Sequence, residues 1–96
     1  MQLPTSVQLV VNFIKEDKQV IAYAPALDLS TVGKDEEQAR SRFHDIVTMF
    51  LKDITERNVI NEVLTDLGWK KEIIRNKPQW VPPVVTSMNL QVPMSA

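Results

Sequence analysis

The side chains that could carry out chemistry are few and scattered along the chain. The sequence contains one histidine, His44, and no cysteine. General acid–base catalysis by His44 would need an orienting carboxylate and a pocket, but adjacent Asp45 lies about 100° away around a helix. Without cysteine there is neither a thiolate nucleophile nor a thiolate metal ligand. We therefore predict no catalytic residue, no metal site and no cofactor, and we expect His44 at the surface of a protein that is not an enzyme.

The densest group of carboxylates marks the start of a helix. Asp35 stands three residues before Gln38, which is the spacing of a capping box. Glu36 and Glu37 then place negative charge in the first turn, where the helix dipole favours it. Capping accounts for these residues without a paired-carboxylate mechanism. The chain has only two glycines, so no glycine-rich phosphate loop is present.

Two tryptophans flank a basic patch near residues 69–80. Aromatic rings among cations can stack the bases of single-stranded nucleic acid. The opposing interpretation buries Trp69 and Trp80 in the core, which their large apolar area favours. The net charge of −1 provides no general attraction to nucleic acid. The basic side chains of the patch are Lys70, Lys71, Arg75 and Lys77.

The 96 residues predict one α+β domain, because a second core would leave each half too small to fold alone. Apolar residues alternate through residues 7–14, which predicts a first strand. Residues 20–24 and 29–32 predict two more strands of a small antiparallel sheet, with Pro25 ending the second strand. The β-β-β-α core should cover residues 7–57.

A long amphipathic helix is predicted between Gly33 and Arg57. Its apolar residues recur at spacings of three and four, so they form one stripe that must pack across the sheet. A second, shorter helix should follow within residues 58–68, capped by Asn58 and ended by Gly68. The stripe consists of Ala39, Phe43, Ile46, Val47, Phe50, Leu51 and Ile54.

The remaining residues predict an irregular arm followed by a strand. Residues 69–85 are rich in tryptophan and proline, which argues against regular structure. Residues 86–94 alternate apolar and polar side chains from Met88 to Met94, and Pro93 confines this strand to an edge. No apolar run reaches the roughly 20 residues of a membrane span and no basic leader precedes the first apolar stretch, so we expect a cytoplasmic protein.

Two runs of the sequence resemble the HicB-like antitoxin family: VIAYAPALD at residues 20–28 and GKDEEQA at residues 33–39. The tail, with LGW at residues 67–69 and WVPPVV at residues 80–85, is similar to the ending of a subset of that family. Gln38 departs from the glutamate usual in the family but can still support the helix start.

The resemblance implies a partial RNase H-like sheet with one long helix across it. It also implies a module that neutralises a small, basic, RNA-cleaving toxin of the HicA type by covering its RNA-binding face. Many HicB antitoxins carry a C-terminal DNA-binding segment, but no recognition helix can be placed here, so we do not expect operator binding by this chain alone. The residues expected to contact the partner are Tyr23, Pro25, Asp28, Asp35, Glu36 and Trp80.

Two alternatives stay open at this point. The protein could bind single-stranded nucleic acid through residues 69–80, or it could be a homo-oligomeric structural protein whose strand from Met88 to Met94 pairs with a sister chain. We expect a homo-oligomer, with no membrane or small-molecule partner. A lined pocket around His44 would argue against the binding-module interpretation.

Overall fold

The computed structural model describes residues 7–95 and has the α+β architecture that the sequence predicts. The elements follow the order β1 (Asn12–Lys15), β2 (Val20–Ala24), β3 (Leu29–Gly33), α1 (Glu36–Glu56), α2 (Ile60–Asp66), β4 (Lys70–Ile74) and β5 (Lys77–Val81). Strands β1, β2 and β3 form one antiparallel sheet in that order, and β4 and β5 form a separate hairpin.

The first strand is shorter than the alternation of residues 7–14 predicted. Strand β1 pairs with β2 only from Asn12, which lies opposite Tyr23, to Lys15, which lies opposite Val20. Strand β2 ends at Ala24 because Pro25 cannot continue the ladder, so residues 7–11 have no strand beside them on that side. Their burial still alternates with a period of two, as in a strand.

The start of α1 is confirmed at the predicted cap. The carboxylate of Asp35 accepts a hydrogen bond of 2.8 Å from the backbone N–H of Gln38. The side chain of Gln38 in turn accepts from the backbone N–H of Lys34 at 2.8 Å, one residue before the cap. This arrangement satisfies two donors that the first turn of a helix cannot pair internally.

Both helices end in a Schellman motif, and this corrects the role expected for Asn58. Asn58 has a φ of 59° and ends α1, while the N–H of Val59 donates to the carbonyl of Ile54 at 2.9 Å. Helix α2 therefore starts after Val59, which makes no side-chain cap. Gly68 ends α2 as predicted, with a φ of 93°.

Helix α1 packs across β2 and β3, as its apolar stripe requires. One buried cluster joins the two elements, and its fully covered members are Val20, Ala22, Ala24, Ala39 and Phe43. A second cluster lies between the helices and the turn after β2, with buried members Ala26, Leu27, Ile54, Leu64 and Trp69. The close approach at Gly33 leaves no room for a side chain, because a Cβ there would lie 2.4 Å from the backbone nitrogen of Ala39.

The prediction of an irregular arm over residues 69–85 is wrong for its first part, because β4 and β5 form a regular hairpin. Arg75 and Asn76 have φ values of 53° and 63°, the pair of left-handed residues that a two-residue type I′ turn needs. Pro78 lies opposite Ile73, one pair beyond the pair that flanks the turn. Hydrogen-bonded and non-hydrogen-bonded pairs alternate along such a ladder, so the proline falls where no N–H is required.

The strand predicted over residues 86–94 is not formed in the structure. These residues adopt no regular secondary structure, and their side chains are exposed. A strand needs a neighbour to complete its backbone hydrogen bonds, and none of residues 7–81 lies beside this segment as a ladder partner. Within residues 7–95, neither helix has the length and apolar character needed to cross a membrane.

Candidate protein-interaction surfaces

The outer face of the three-stranded sheet carries an apolar row that the rest of the described chain leaves uncovered. Ile14, Ile21 and Val32 lie opposite one another across the three strands. Their side chains point away from α1, since they alternate with the residues that face the helix. Ile14 is 49% exposed and Val32 is 42% exposed. The next row consists of Asn12, Tyr23 and Ser30, and we call the two rows together the open sheet face.

The turn after β2 places a carboxylate beside this face. Asp28 has a φ of 53°, a left-handed conformation that aspartate tolerates better than most residues. Its Oδ1 accepts a hydrogen bond of 3.2 Å from the hydroxyl of Tyr23. This hydrogen bond raises the pKa of the Tyr23 phenol, and partial burial and the negative charge of Asp28 raise it further. The turn thus holds a phenol and a carboxylate together at the rim of the open sheet face.

The turn itself is anchored from the far side of the molecule. Ala26 and Leu27 are buried within it. The backbone carbonyl of Ala26 accepts a buried hydrogen bond from Nε1 of Trp69. The exposed pair of Tyr23 and Asp28 is therefore held by packing that lies behind it.

The six predicted contact residues fall into three separate places. Tyr23, Pro25 and Asp28 lie together at the turn after β2. Asp35 and Glu36 lie beyond the other end of β3, at the start of α1. The third place belongs to Trp80, which packs against the cluster between the helices. Only the first group adjoins the apolar row of the open sheet face.

Strand β1 borders a second surface, on the side that faces α1. Because α1 lies mainly over β2 and β3, a groove of about 390 Å³ remains between the helix and residues 7–13. We call it the edge groove. Its polar rim consists of Arg40, His44 and Thr48. Its apolar lining consists of Val7, Leu9, Val11, Phe13, Phe43, Val47 and Leu51.

His44 does border a lined groove, which bears on the condition set from the sequence. Its side chain is 79% exposed, and Nδ1 lies 3.7 Å from Oδ1 of an equally exposed Asp45. The two residues meet despite their separation around the helix, but water screens an ion pair of this kind. Among residues 7–95, no three histidine or carboxylate side chains come together as a metal site. The chemistry of the groove is that of an apolar docking site.

The basic patch lies on the exposed hairpin of β4 and β5. Trp69 does not belong to a stacking platform, because it is only 2% exposed. Trp80 is half-buried, and Nζ of Lys71 lies 5.7 Å above its ring. The hairpin also sets up a charge asymmetry: residues 1–69 carry eleven acidic and seven basic side chains, whereas residues 70–96 carry one and four.

The apolar row and the edge groove were not predicted from the sequence. A signal for the row was present, because Val10 and Ile14 interrupt the polar face of the first strand. Which residues stand opposite one another depends on the register of three strands, and a single sequence does not give that register. The groove depends on how far α1 is displaced from β1, for which the apolar stripe carries no signal.

Comparison of the chain with protein-family models, curated proteins and solved structures gives no significant match.

Proposed function

We propose that this protein is an antitoxin that binds a small, basic, RNA-cleaving toxin of the HicA type and covers its RNA-binding face. The observation that carries the proposal is the open sheet face, an uncovered apolar row with a carboxylate at its rim. The resemblance of residues 20–28 and 33–39 to the HicB-like family names the partner class.

The composition of the open sheet face suits a protein partner. Interfaces between proteins combine an apolar centre with a polar rim. Here the row of Ile14, Ile21 and Val32 supplies the centre, and the Tyr23 hydroxyl and the Asp28 carboxylate supply part of the rim. Tyrosine is enriched at binding hot spots because its large ring carries a polar end.

The charge of the body suits a basic partner. Residues 1–69 carry four more acidic than basic side chains, counted from the eleven and seven given above. Complementary charge steers two proteins together and discriminates against wrong partners. A surface that normally binds RNA is positively charged, so it would meet attraction here and not repulsion.

The test is a binding measurement between the full-length protein and the short basic protein encoded beside it. We expect a stable complex on size exclusion at micromolar concentration, and loss of RNA cleavage by the toxin in that complex. The variant Val32→Lys places a positive charge in the centre of the proposed interface. It should weaken the affinity about ten-fold or more, because it brings like charges together.

The matched control is Met49→Lys on α1. Met49 is also an exposed apolar residue, but it lies outside both the open sheet face and the edge groove. The control should bind as tightly as the unaltered protein. A pair of proteins that stays separate, or equal losses for the two variants, would overturn the proposal.

A second candidate function is binding of single-stranded nucleic acid by the hairpin. The four cations of the patch project from β4 and β5 and from the turn, beside the single acidic residue Glu72. Such a patch would bind the phosphate backbone, and its affinity would fall steeply with salt. With Trp69 buried, stacking depends on Trp80 alone.

Fluorescence anisotropy with a labelled oligonucleotide tests this second function. Replacing Lys70, Lys71, Arg75 and Lys77 with glutamine should abolish binding if the hairpin carries it. Replacing Lys15, Lys18, Lys34 and Lys52 is the control of equal charge change. Affinity that is absent, or that does not depend on salt, rejects the second function.

A further inference from the structure

Residues 84–94, here called the C-terminal segment, expose an alternating apolar sequence to water. Met88, Leu90, Val92 and Met94 are each between 65% and 94% exposed. They are separated by Asn89, Gln91 and Pro93, so in a strand all four would lie on one face. Contiguous exposed apolar residues in a folded protein commonly mark a site of association.

The shape of the single chain shows that this segment is not folded back onto the body. The radius of gyration is 16.2 Å, whereas a compact chain of this length has about 12 Å. The longest dimension is 56 Å, about twice the others at 29 and 23 Å. The segment and the edge groove are thus both open in the same chain.

The sheet offers two edges, but one of them is closed. Strands β1 and β3 are the edge strands. The guanidinium of Arg42 donates a 3.0 Å hydrogen bond to the backbone carbonyl of Val32 on β3. The start of α1 also presses against the end of β3 at Gly33. An incoming strand is therefore obstructed at β3 and finds its free backbone at β1.

The free edge at β1 adjoins the edge groove. Residues 7–11 continue the strand-like alternation of β1 and direct Val7, Leu9 and Val11 into the groove. A strand added beside residues 7–15 would project every second side chain over the same groove. The groove would then be covered by apolar side chains of the added strand.

We propose that the C-terminal segment of one copy adds as a strand along residues 7–15 of a second copy and inserts its apolar face into the edge groove of that copy. Residues 86–94 and residues 7–15 each span nine positions, roughly 30 Å in extended form. The apolar residues of both recur with a period of two. The exchange is reciprocal, so two segments fill two grooves in a closed dimer. It uses a different surface from the proposed toxin interface and does not depend on it.

The oligomeric state of the full chain tests the proposal. Multi-angle light scattering at micromolar concentration should give twice the chain mass of 11.0 kDa. Leu90→Glu places a charge on the apolar face of the segment and should give the monomer mass. Gln91→Glu adds the same charge on the opposite face and should leave the dimer intact. Leu90 is 72% exposed in the single chain, so neither variant should change the thermal unfolding of the monomer.

Cross-linking identifies the surfaces that meet, since the natural chain has no cysteine. One copy carries Gln8→Cys beside the edge groove, and a second copy of different mass carries Gln91→Cys in the segment. Oxidation of the mixture should join the two unlike chains. The control pair replaces Gln8→Cys with Met49→Cys, which lies outside the groove, and should not cross-link.

Three outcomes overturn the proposal. The first is a monomer mass for the unaltered protein, which includes the case of a segment folded onto its own groove. The second is equal behaviour of the glutamate variants at positions 90 and 91. The third is a dimer that cross-links as readily through position 49 as through position 8.

Discussion

The indole nitrogen of Trp69 donates a buried 2.8 Å hydrogen bond to the backbone carbonyl of Ala26, 43 residues earlier in the chain. This bond connects the residue after α2 with the turn between β2 and β3. An unpaired buried carbonyl costs about 1–3 kcal/mol. We expect Trp69→Phe to lower the free energy of unfolding by at least that amount, because it also removes packing volume, as measured by urea denaturation.

The comparison for Trp69→Phe is Trp80→Phe. Trp80 lines the same cluster but is only half-buried. The same substitution at position 80 should therefore cost less. If the two variants unfold at the same urea concentration, the bond to Ala26 does not contribute to stability.

The left-handed conformation of Gly68 should order the stability of three variants. Its φ of 93° is unfavourable for residues with a Cβ, although space is open there, with the nearest side-chain atom of Pro83 at 3.6 Å. We expect Gly68→Ala to cost about 1–2 kcal/mol. Gly68→Asn should cost less because asparagine adopts this conformation more readily, and Gly68→Val should cost more. Thermal unfolding followed by circular dichroism measures the order, and the reverse order would contradict a conformational cause.

The hydrogen bond between Tyr23 and Asp28 predicts an alkaline shift in titration. Tyr23 is the only tyrosine, so the ultraviolet absorbance of the phenolate reports it alone. Asp28 raises its pKa above the ordinary value of 10.0. Asp28→Ala should therefore bring the midpoint down toward that value. Asp17→Asn, at the other end of the hairpin formed by β1 and β2, should leave the midpoint unchanged.

The same shift predicts the sign of a stability change. A phenol whose pKa is raised by folding favours the neutral form, so its contribution is complete below the unfolded pKa of about 10. That contribution is lost as the pH rises through the folded pKa. The unaltered protein should lose more stability than Asp28→Ala over this alkaline range, in urea titrations at a series of pH values. Parallel losses would show that the two residues are not coupled.

The start of α1 should separate a cap from a nearby charge. Asp35→Ala removes the acceptor for the Gln38 N–H and should cost about 1 kcal/mol. Glu36→Gln removes only an exposed charge near the positive end of the helix and should cost about 0.3–1 kcal/mol, falling further in salt. The measurement is urea denaturation at low and high ionic strength. A salt-sensitive loss for Asp35→Ala would indicate that its charge matters more than its hydrogen bond.

Local sequence accounts for the parts of the fold whose physics acts over a few residues. The spacing of Asp35 and Gln38 predicts the cap of α1, Gly68 predicts the end of α2, and Pro25 predicts the end of β2. Each of these features depends on the hydrogen bonds or backbone angles of adjacent residues. The stripe of α1 also predicts correctly that the helix packs on the sheet, because so many apolar residues on one face cannot stay in water.

Pairing between distant or competing segments lay beyond such reasoning. The hairpin of β4 and β5 depends on two consecutive left-handed residues, Arg75 and Asn76, and arginine is not a residue that signals such a turn. Residues 86–94 have a strand pattern without a strand, because a ladder requires a neighbour that the single chain does not provide. The open sheet face and the edge groove exist only once strand register and helix placement are set, and contacts between residues far apart in the chain set both.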